Sequence, residues 1–345
     1  MATIYDVARA AGVTAATVSV ALSGRGVVNP KTRDRVLQCA RDLEYRPNLV
    51  ARSLTTRRTH TIGLVVYDIT NPFYAEVAQA VEQTARQADY RVIIANTTGD
   101  ESLGAELLEE LADRQVDGII AMSGGLPVGS LRELAASGMP IVPCMWDEQT
   151  APCLSPSVSL DFAAAGRLVA DHLLDLGHRR LAIIAIGCAD EPVLRLRESA
   201  FRDRLAERGC PLDPGLWHWA DSRVESGYAA AHDLLVRDEP PTAIFATNDL
   251  MALGVVAAAR ERGILVPRDL SVAGFDDIVL ARFAAPPLTT VRIERTTLMA
   301  TATHVLLRLI AGEDLPSPTP LFPSLVVRES TAPPATSIHR GREVR

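Results

Sequence analysis

From Thr61 to Asp277 the chain repeats one unit: a short apolar run, a polar or acidic residue at its end, then a stretch with helical periodicity. The runs are IGLVVYD (62–68), RVIIANT (91–97), DGIIAMS (117–123) and PIVPCMW (140–146), then LAIIAIG (181–187), AIFATND (243–249) and SVAGFDD (271–277). Apolar residues that fill a run, instead of alternating with polar ones, predict parallel strands buried on both faces. Helical patterns near 75–88 and 104–114 lie between the first runs, which is the alternation of a doubly wound α/β sheet. The series stops near 146 and restarts at 181, so two similar lobes are expected. A chain of 345 residues exceeds one ordinary core. No run approaches the roughly 18 apolar residues that a membrane span needs.

Residues 1–60 follow another pattern. Ile4, Val7, Ala8 and Ala11 form one helical stripe behind a capping pair, Thr3 and Asp6. Gly12 ends that helix, and Thr14 caps a second whose inward face is Val18, Ala21 and Leu22. A third starts at Asn29-Pro30 and buries Val36, Leu37, Ala40 and Leu43. Helix, glycine turn and helix make a helix-turn-helix, with residues 15, 16, 19 and 20 outward on the second helix. The net charge of −7 on the whole chain, taken alone, argues against a polyanionic partner. The first 60 residues, however, hold ten Lys+Arg against four acids, a net +6, which leaves 25 against 38, a net −13, for the rest. A basic head on an acidic body predicts a nucleic-acid module. A solvated basic helix surface is the alternative that charge alone leaves open. Lys31 is the single lysine, so the excess of arginine is a compositional habit and not site chemistry.

The segments TIYDVARAAGVTAATVSVALSG, RPNLVARSLTTRRTHTIGLVV and PSLVVRESTAPP resemble the LacI/GalR (lactose-repressor-like) family of bacterial transcription regulators, in register to about residue 334. The resemblance implies a helix-turn-helix head (1–46), a hinge helix and linker (47–60), and a two-lobed body like a periplasmic sugar-binding protein (61–334). One lobe would comprise about 61–161 and 291–321, the other about 162–290 and 322–334, with a flexible tail at 335–345. The body would bind effector and dimerise. In the head, the resemblance assigns base reading to Ala15, Ala16 and Val20. Position 20 often carries a polar residue in the family, whereas Ala and Val offer only apolar contacts, for instance to a thymine methyl. Thr3, Thr17, Ser19 and Arg33 are expected at phosphates, where they fix register. LVARSL, capped by Asn48, is too short for a stable isolated helix. The resemblance implies paired hinge helices in the minor groove, with Leu54 as a wedge between base steps. Ala51 would allow close approach there, and Arg52 would reach phosphate.

Ligands of doubly wound sheets sit outside the C-terminal strand ends. Asp68 with Asn71-Pro72-Phe73-Tyr74, Met145-Trp146-Asp147, Asp161, Asn248-Asp249 and Asp276-Asp277 stand at such ends. Carboxylates and amides beside aromatic faces suit a polyhydroxylated or heterocyclic small molecule. Singly, each polar residue also fits a helix cap. The resemblance assigns effector contacts to Phe73, Tyr74, Asp161, Arg197, Asn248 and Asp276, with Arg197 offering a forked pair of donors. Trp146 joins the set as a face on which a sugar or base would stack, core burial being its alternative. Ala200 replaces the glycine of the family's R-x-x-G-F. Met145 stands where an aspartate often follows the fourth strand, and Asp161-Phe162 where Asp-Asn is usual. Both changes predict a cleft more apolar than a typical hexose site. A sugar or sugar derivative is the expected effector, and a nucleoside or aromatic metabolite the other reading.

An enzyme is the rival class for any α/β chain. No dinucleotide, P-loop, H-E-x-x-H or G-x-S-x-G signature occurs, and the histidines lack ligand spacing. No catalytic residue, cofactor or metal is therefore expected. The five cysteines (Cys39, Cys144, Cys153, Cys188, Cys210) contain no C-x-x-C, and Asp6 and Arg9 fall where a signal peptide is apolar. Both features point to a reduced cytoplasm, with the nucleoid as the working place, and against a secreted solute-binding protein. The expected function is a homodimeric repressor on a palindromic operator, released when effector changes the pose of the lobes. Co-repression is the alternative. The tail after Arg328 is short, Pro-rich and without heptads, which argues against a tail-mediated tetramer.

Overall fold

A computed structural model of the chain describes residues 2–23, 26–45, 58–146, 154, 156–187 and 192–335. The polypeptide divides into two compact units, Met1–Thr59 and His60–Arg345.

In the first unit, α1 (Ile4–Ala11), α2 (Ala15–Ser23) and α3 (Pro30–Asp42) pack together. Each start is fixed locally. Thr3 Oγ1 accepts from the Asp6 amide at 3.3 Å, and the Asp6 carboxylate accepts from the Thr3 amide at 2.9 Å, a closed capping box. Thr14 Oγ1 accepts from the Thr17 amide at 3.2 Å. Asn29 Oδ1 accepts from the Lys31 amide at 3.0 Å, with Pro30 opening the helix. Gly12 turns the chain at φ +62°, a left-handed conformation that costs a residue with a Cβ roughly 1–2 kcal/mol. Val7, Ala8, Ala11, Val18, Ala21, Val36 and Ala40 close the small core. Leu37 and Leu43 are not part of it: Leu37 is half-buried and Leu43 is 37% exposed. α3 ends at Asp42, so Leu43 falls beyond the helical phase that would have turned it inward.

The second unit runs through β1 (Thr61–Val66), α4 (Pro72–Gln87), β2 (Arg91–Asn96), α5 (Glu101–Asp113), β3 (Gly118–Met122), α6 (Val128–Ala136) and β4 (Ile141–Cys144). These four strands are parallel, in the order β2-β1-β3-β4. The chain continues through α7 (Phe162–Asp175), β5 (Leu181–Ile186), α8 (Pro192–Glu207), β6 (Trp217–Ala220), α9 (Val224–Leu235) and β7 (Ala243–Ala246). Then come α10 (Asp249–Glu261), β8 (Ser271–Asp276), α11 (Val279–Phe283), β9 (Thr289–Arg292), α12 (Arg295–Ile310) and β10 (Ser324–Val326). The second sheet has the order β10-β9-β8-β7-β5-β6 and is parallel except at its edge, where β10 pairs antiparallel with β9. Two doubly wound lobes are therefore present, as the apolar runs predict. The strands that the runs do not reveal are β6, β9 and β10, whose sequences WHWA, TTVR and SLV are short or polar.

Three chain segments join the lobes. Two pair with each other: the Asp161 amide donates to the Leu321 carbonyl at 3.0 Å, and the Leu321 amide to that of Ser159 at 3.0 Å. The third follows β9, after which α12 packs on α4 and the first sheet. Within the second lobe, α7 and α8 cross closely. A Cβ on Gly166 would lie 2.1 Å from the Arg197 carbonyl oxygen, so only glycine allows this approach.

Candidate functional site

A small cavity, open at its mouth, lies between the lobes at the carboxyl ends of the strands. The first lobe supplies Tyr67 and Asp68 after β1, Phe73 and Tyr74 from the start of α4, and Ser123 and Met145 after β3 and β4. The second supplies Ile186, Ser222, Asn248 and Asp276 from the ends of β5, β6, β7 and β8, with Arg197 from α8. This siting follows from topology, because parallel strands diverge into loops and helix starts at their carboxyl ends.

Helix caps orient the walls. Asn71 Oδ1 accepts from the Phe73 amide at 3.0 Å, which starts α4 and fixes the following two rings. Phe73 and Tyr74 meet edge to face at 5.1 Å, and Tyr67 stacks on Tyr74 at 6.3 Å. Asn248 Oδ1 accepts from the Met251 amide at 2.8 Å to cap α10, and its Nδ2 donates to the Ser222 carbonyl at 2.9 Å.

Arg197 is 3% exposed. Its guanidinium carbon lies 4.5 Å from the centroid of Phe275 and 5.8 Å from that of Phe162, and its Nε has no hydrogen-bond partner among the described residues. Burial lowers its pKa, opposed by the Asp276 carboxyl nearby. Burial pushes Asp276 up to about 7; Arg197 and Arg295 pull it down, and Glu76 adds to the rise. The two acids beside Asp276 have structural partners. Asp249 is fully buried, accepts from the Thr290 hydroxyl and from the Ile278 amide at 2.9 Å, and is raised well above the carboxylate range by burial. Burial raises Asp277 too, but hydrogen bonds from Arg328 and from Arg292 (2.7 Å) outweigh it and hold the group low.

Of the residues read as effector contacts, Phe73, Tyr74, Arg197, Asn248 and Asp276 line one cavity. Trp146 does not. It is 4% exposed, packs in the first-lobe core with Val65 and Leu108, and donates from Nε1 to the Ala121 carbonyl at 3.2 Å. Met145 adopts φ +63° and lines the cleft in its stead. Asp161 is also outside the lining: its Oδ1 accepts from the Ala164 amide at 2.7 Å and caps α7. Phe162, expected to make the cleft more apolar, is buried and stacked on Phe275 at 6.0 Å, beneath Arg197. Of the two changes expected to make the cleft more apolar, Met145 therefore lines the cavity and Phe162 does not. Tyr67, Ser123, Ile186 and Ser222 were not singled out from the sequence. The first two directly follow legible strands, whereas Ser222 follows β6, which has no legible run.

In the head, Ala16 and Ser19 on α2 are exposed, while Thr17 and Val20 are half-buried. Ala15 is also half-buried and packs against the head core, not wholly outward. Val20 lies beneath Gly26, where a Cβ would approach its Cγ1 to 2.9 Å. The Thr17 hydroxyl sits 3.0 Å from that of Thr14, and the Thr3 hydroxyl donates to Asp6 at 2.7 Å. Thr3 must leave that cap to donate elsewhere. Arg33 is exposed on the first turn of α3. Asn48, Ala51, Arg52 and Leu54 lie outside the described residues.

Two family models match: "Bacterial regulatory proteins, lacI family" over residues 3–48 and "Periplasmic binding protein-like domain" over residues 170–331. Catabolite control protein A of Priestia megaterium is 37% identical over 331 residues, 95% of this chain and 99% of that protein. The HTH-type transcriptional regulator DegA of Bacillus subtilis is 39% identical over 335 residues, 96% and 98% of the two chains. The ribose operon repressor of Haemophilus influenzae is 36% identical over 334 residues, with 96% and 98% covered. Among solved structures, the lac repressor dimer bound to operator and the anti-inducer ONPF matches with a TM-score of 0.84 at 28% identity, covering 96% of this chain and 99% of that one. The transcriptional regulator CelR in complex with cellobiose gives 0.70 at 31% identity, covering 96% and 100%.

Proposed function

The chain belongs to the LacI family of bacterial regulatory proteins, and from that premise we propose a homodimeric repressor whose hold on a palindromic operator is released by a sugar or sugar derivative. As a family member it is a DNA-binding transcription regulator that responds to a ligand, and not an enzyme. In this reading residues 1–46 bind DNA, 47–60 form the hinge, and 61–334 bind effector and dimerise, in the cytoplasm at the nucleoid. Ala15, Ala16 and Val20 face base edges through apolar contact, and Thr3, Thr17, Ser19 and Arg33 serve phosphates. Asn48, Ala51, Arg52 and Leu54 serve the minor groove.

Arg197 carries the ligand reading. A buried cation whose Nε finds no partner among the described residues is costly unless something completes it. Its forked donors beside the Asp276 acceptor match vicinal hydroxyls, and the Phe73 and Tyr74 rings offer a surface to the apolar face of a sugar ring. The aromatic wall also suits a nucleobase, and the ribose diol of a nucleoside would meet the same donor–acceptor pair, which is the second reading. The CelR–cellobiose complex supports the sugar, while relatives named PurR, 33–34% identical, stand beside the ribose operon repressor among the matches. Dimerisation is supported by α11, where Val279, Leu280 and Phe283 are 50%, 45% and 77% exposed, and by the dimeric lac repressor.

Calorimetric titration with pentoses, hexoses and disaccharides, beside adenosine and guanosine, tests the reading. A sugar is expected to bind, to lose at least tenfold affinity in Arg197→Met, and to weaken binding to an operator selected from random duplexes. A nucleoside preferred over every sugar, or a sugar indifferent to Arg197→Met, overturns it.

A further inference from the structure

Arg295 opens α12 on the first lobe, yet its guanidinium reaches the end of β8 on the second. Nη1 donates to the Asp276 carbonyl, and Nη2 donates to the Asp277 carbonyl at 2.9 Å. On its own lobe Glu76 holds it, Oε2 accepting from Nε at 3.0 Å and from Nη2 at 2.7 Å. The Phe73 ring lies 5.7 Å from the guanidinium carbon. One side chain thus touches the backbone of the cleft carboxylate and a ring of the opposite wall.

The backbone it holds is strained. Asp276 at φ +117° and Asp277 at φ +53° are consecutive residues with a Cβ in the left-handed region. Such residues persist only where their surroundings over-determine them. The Asp277 side chain is pinned within its own lobe by Arg292 and Arg328. The Asp276 carbonyl is held from across the cleft. We propose that Arg295 is a positioning residue for ligand recognition: from the first lobe it fixes the left-handed Asp276 backbone, so that the carboxyl stands at the cavity beside Arg197. This rests on the cleft being the effector site. A ligand bridging Phe73 and Asp276 and the Arg295 tie span the same two lobes, so a change in lobe pose acts on both at once.

Hydrogen exchange followed by mass spectrometry on the full chain tests the tie without any ligand. Arg295→Met is expected to speed exchange tenfold or more in the segment 271–283 and to leave β1 and β3 unchanged. Arg295→Lys, which keeps the charge and loses the fork, and Glu76→Gln should give intermediate increases. Arg308→Met, on the same helix but paired with Glu313 at the surface, should give none. Unchanged protection at 271–283 overturns the proposal, as does a loss spread equally over both lobes. If the Met variant does not fold, the Lys and Gln variants decide by the same criterion.

A second readout uses D-ribose as the probe across pH. The groups facing Asp276 are Arg197 on α8, Arg295 on α12, Glu76 on α4 and Asp249 on α10, with Tyr74 acting on Arg197 from the opposite wall. Removing Arg295 should move the midpoint of ribose binding to higher pH, and an affinity lowered equally at every pH overturns the positioning role. If ribose does not bind the wild type, the exchange measurement decides on Arg295 alone, and the sugar reading is decided by the full titration series.

Discussion

Asp276 shows how burial turns one carboxyl into a sensitive group. The carboxyl ionises near 3.8 in an unfolded chain and near 7 in the fold, with burial the largest cause. Between those values the folded protein binds more protons than the unfolded one, so stability falls as pH rises, and the loss is complete above about 7. At about 1.4 kcal/mol for each pH unit, the ceiling is roughly 4 kcal/mol. Asp276→Asn is therefore expected to stabilise the unliganded protein at pH 8 by on the order of 2 kcal/mol, a gain that vanishes towards pH 4. Urea melts over that range measure it; equal gains at pH 8 and pH 5 would contradict the assignment. The same substitution should weaken sugar binding at least tenfold, because an amide cannot replace an acceptor-only carboxylate. Wild-type affinity should rise from pH 6 to 8 as the acceptor ionises. The residues of this site were largely legible as polar groups at strand ends. Their exact wall was not. Met145 and Trp146 are neighbours in sequence, and the left-handed φ of Met145 sends one to the cavity and the other to the core.

At the scale of elements, caps and close crossings place the site. Asn71, Asp161 and Asn248 each start a helix by accepting a backbone N–H, and two of those helix starts contribute to the cavity. Asp161 shows that a strand-end acid can be a cap and stand outside the cleft. The crossing of α7 on α8 depends on Gly166, since a Cβ there would meet the Arg197 oxygen at 2.1 Å and the Phe201 nitrogen at 2.8 Å, both backbone atoms. Gly166→Val is expected to push α8 outward and carry Arg197 with it. A loss of about 2–4 kcal/mol in a urea melt should accompany a sugar affinity lower by tenfold or more. A variant as stable as wild type would show that the helices can separate without cost. Strands β1, β3, β4, β5, β7 and β8 were legible because buried parallel strands are apolar throughout, and β2 by its apolar run although it lies half-exposed at the sheet edge. β6, β9 and β10 were not, because their pairing is set by neighbours already in the sheet.

At the scale of the molecule, the charge of −7 is a basic head of +6 on an acidic remainder of −13. The dimer that we propose joins two such heads, so its loss should be costly for DNA binding. Phe283→Asp places a charge in the exposed α11 patch. It is expected to give monomers in sedimentation and to lower operator affinity about a hundredfold, the scale of an effective-concentration advantage. A Phe283→Asp protein that stays dimeric rules out α11 as the contact. The kinds of element, the helix starts, the carboxyl ends of most strands and the split in charge can be read along the chain, because they depend on residues a few positions apart. Folding alone reveals that Arg197 lies buried over Phe275 with its Nε unpartnered among the described residues, that Trp146 belongs to a core, and that Arg295 reaches Asp276. Those facts depend on sheet order and on the chain passing between lobes, which bring together groups whose local patterns carry no sign of one another.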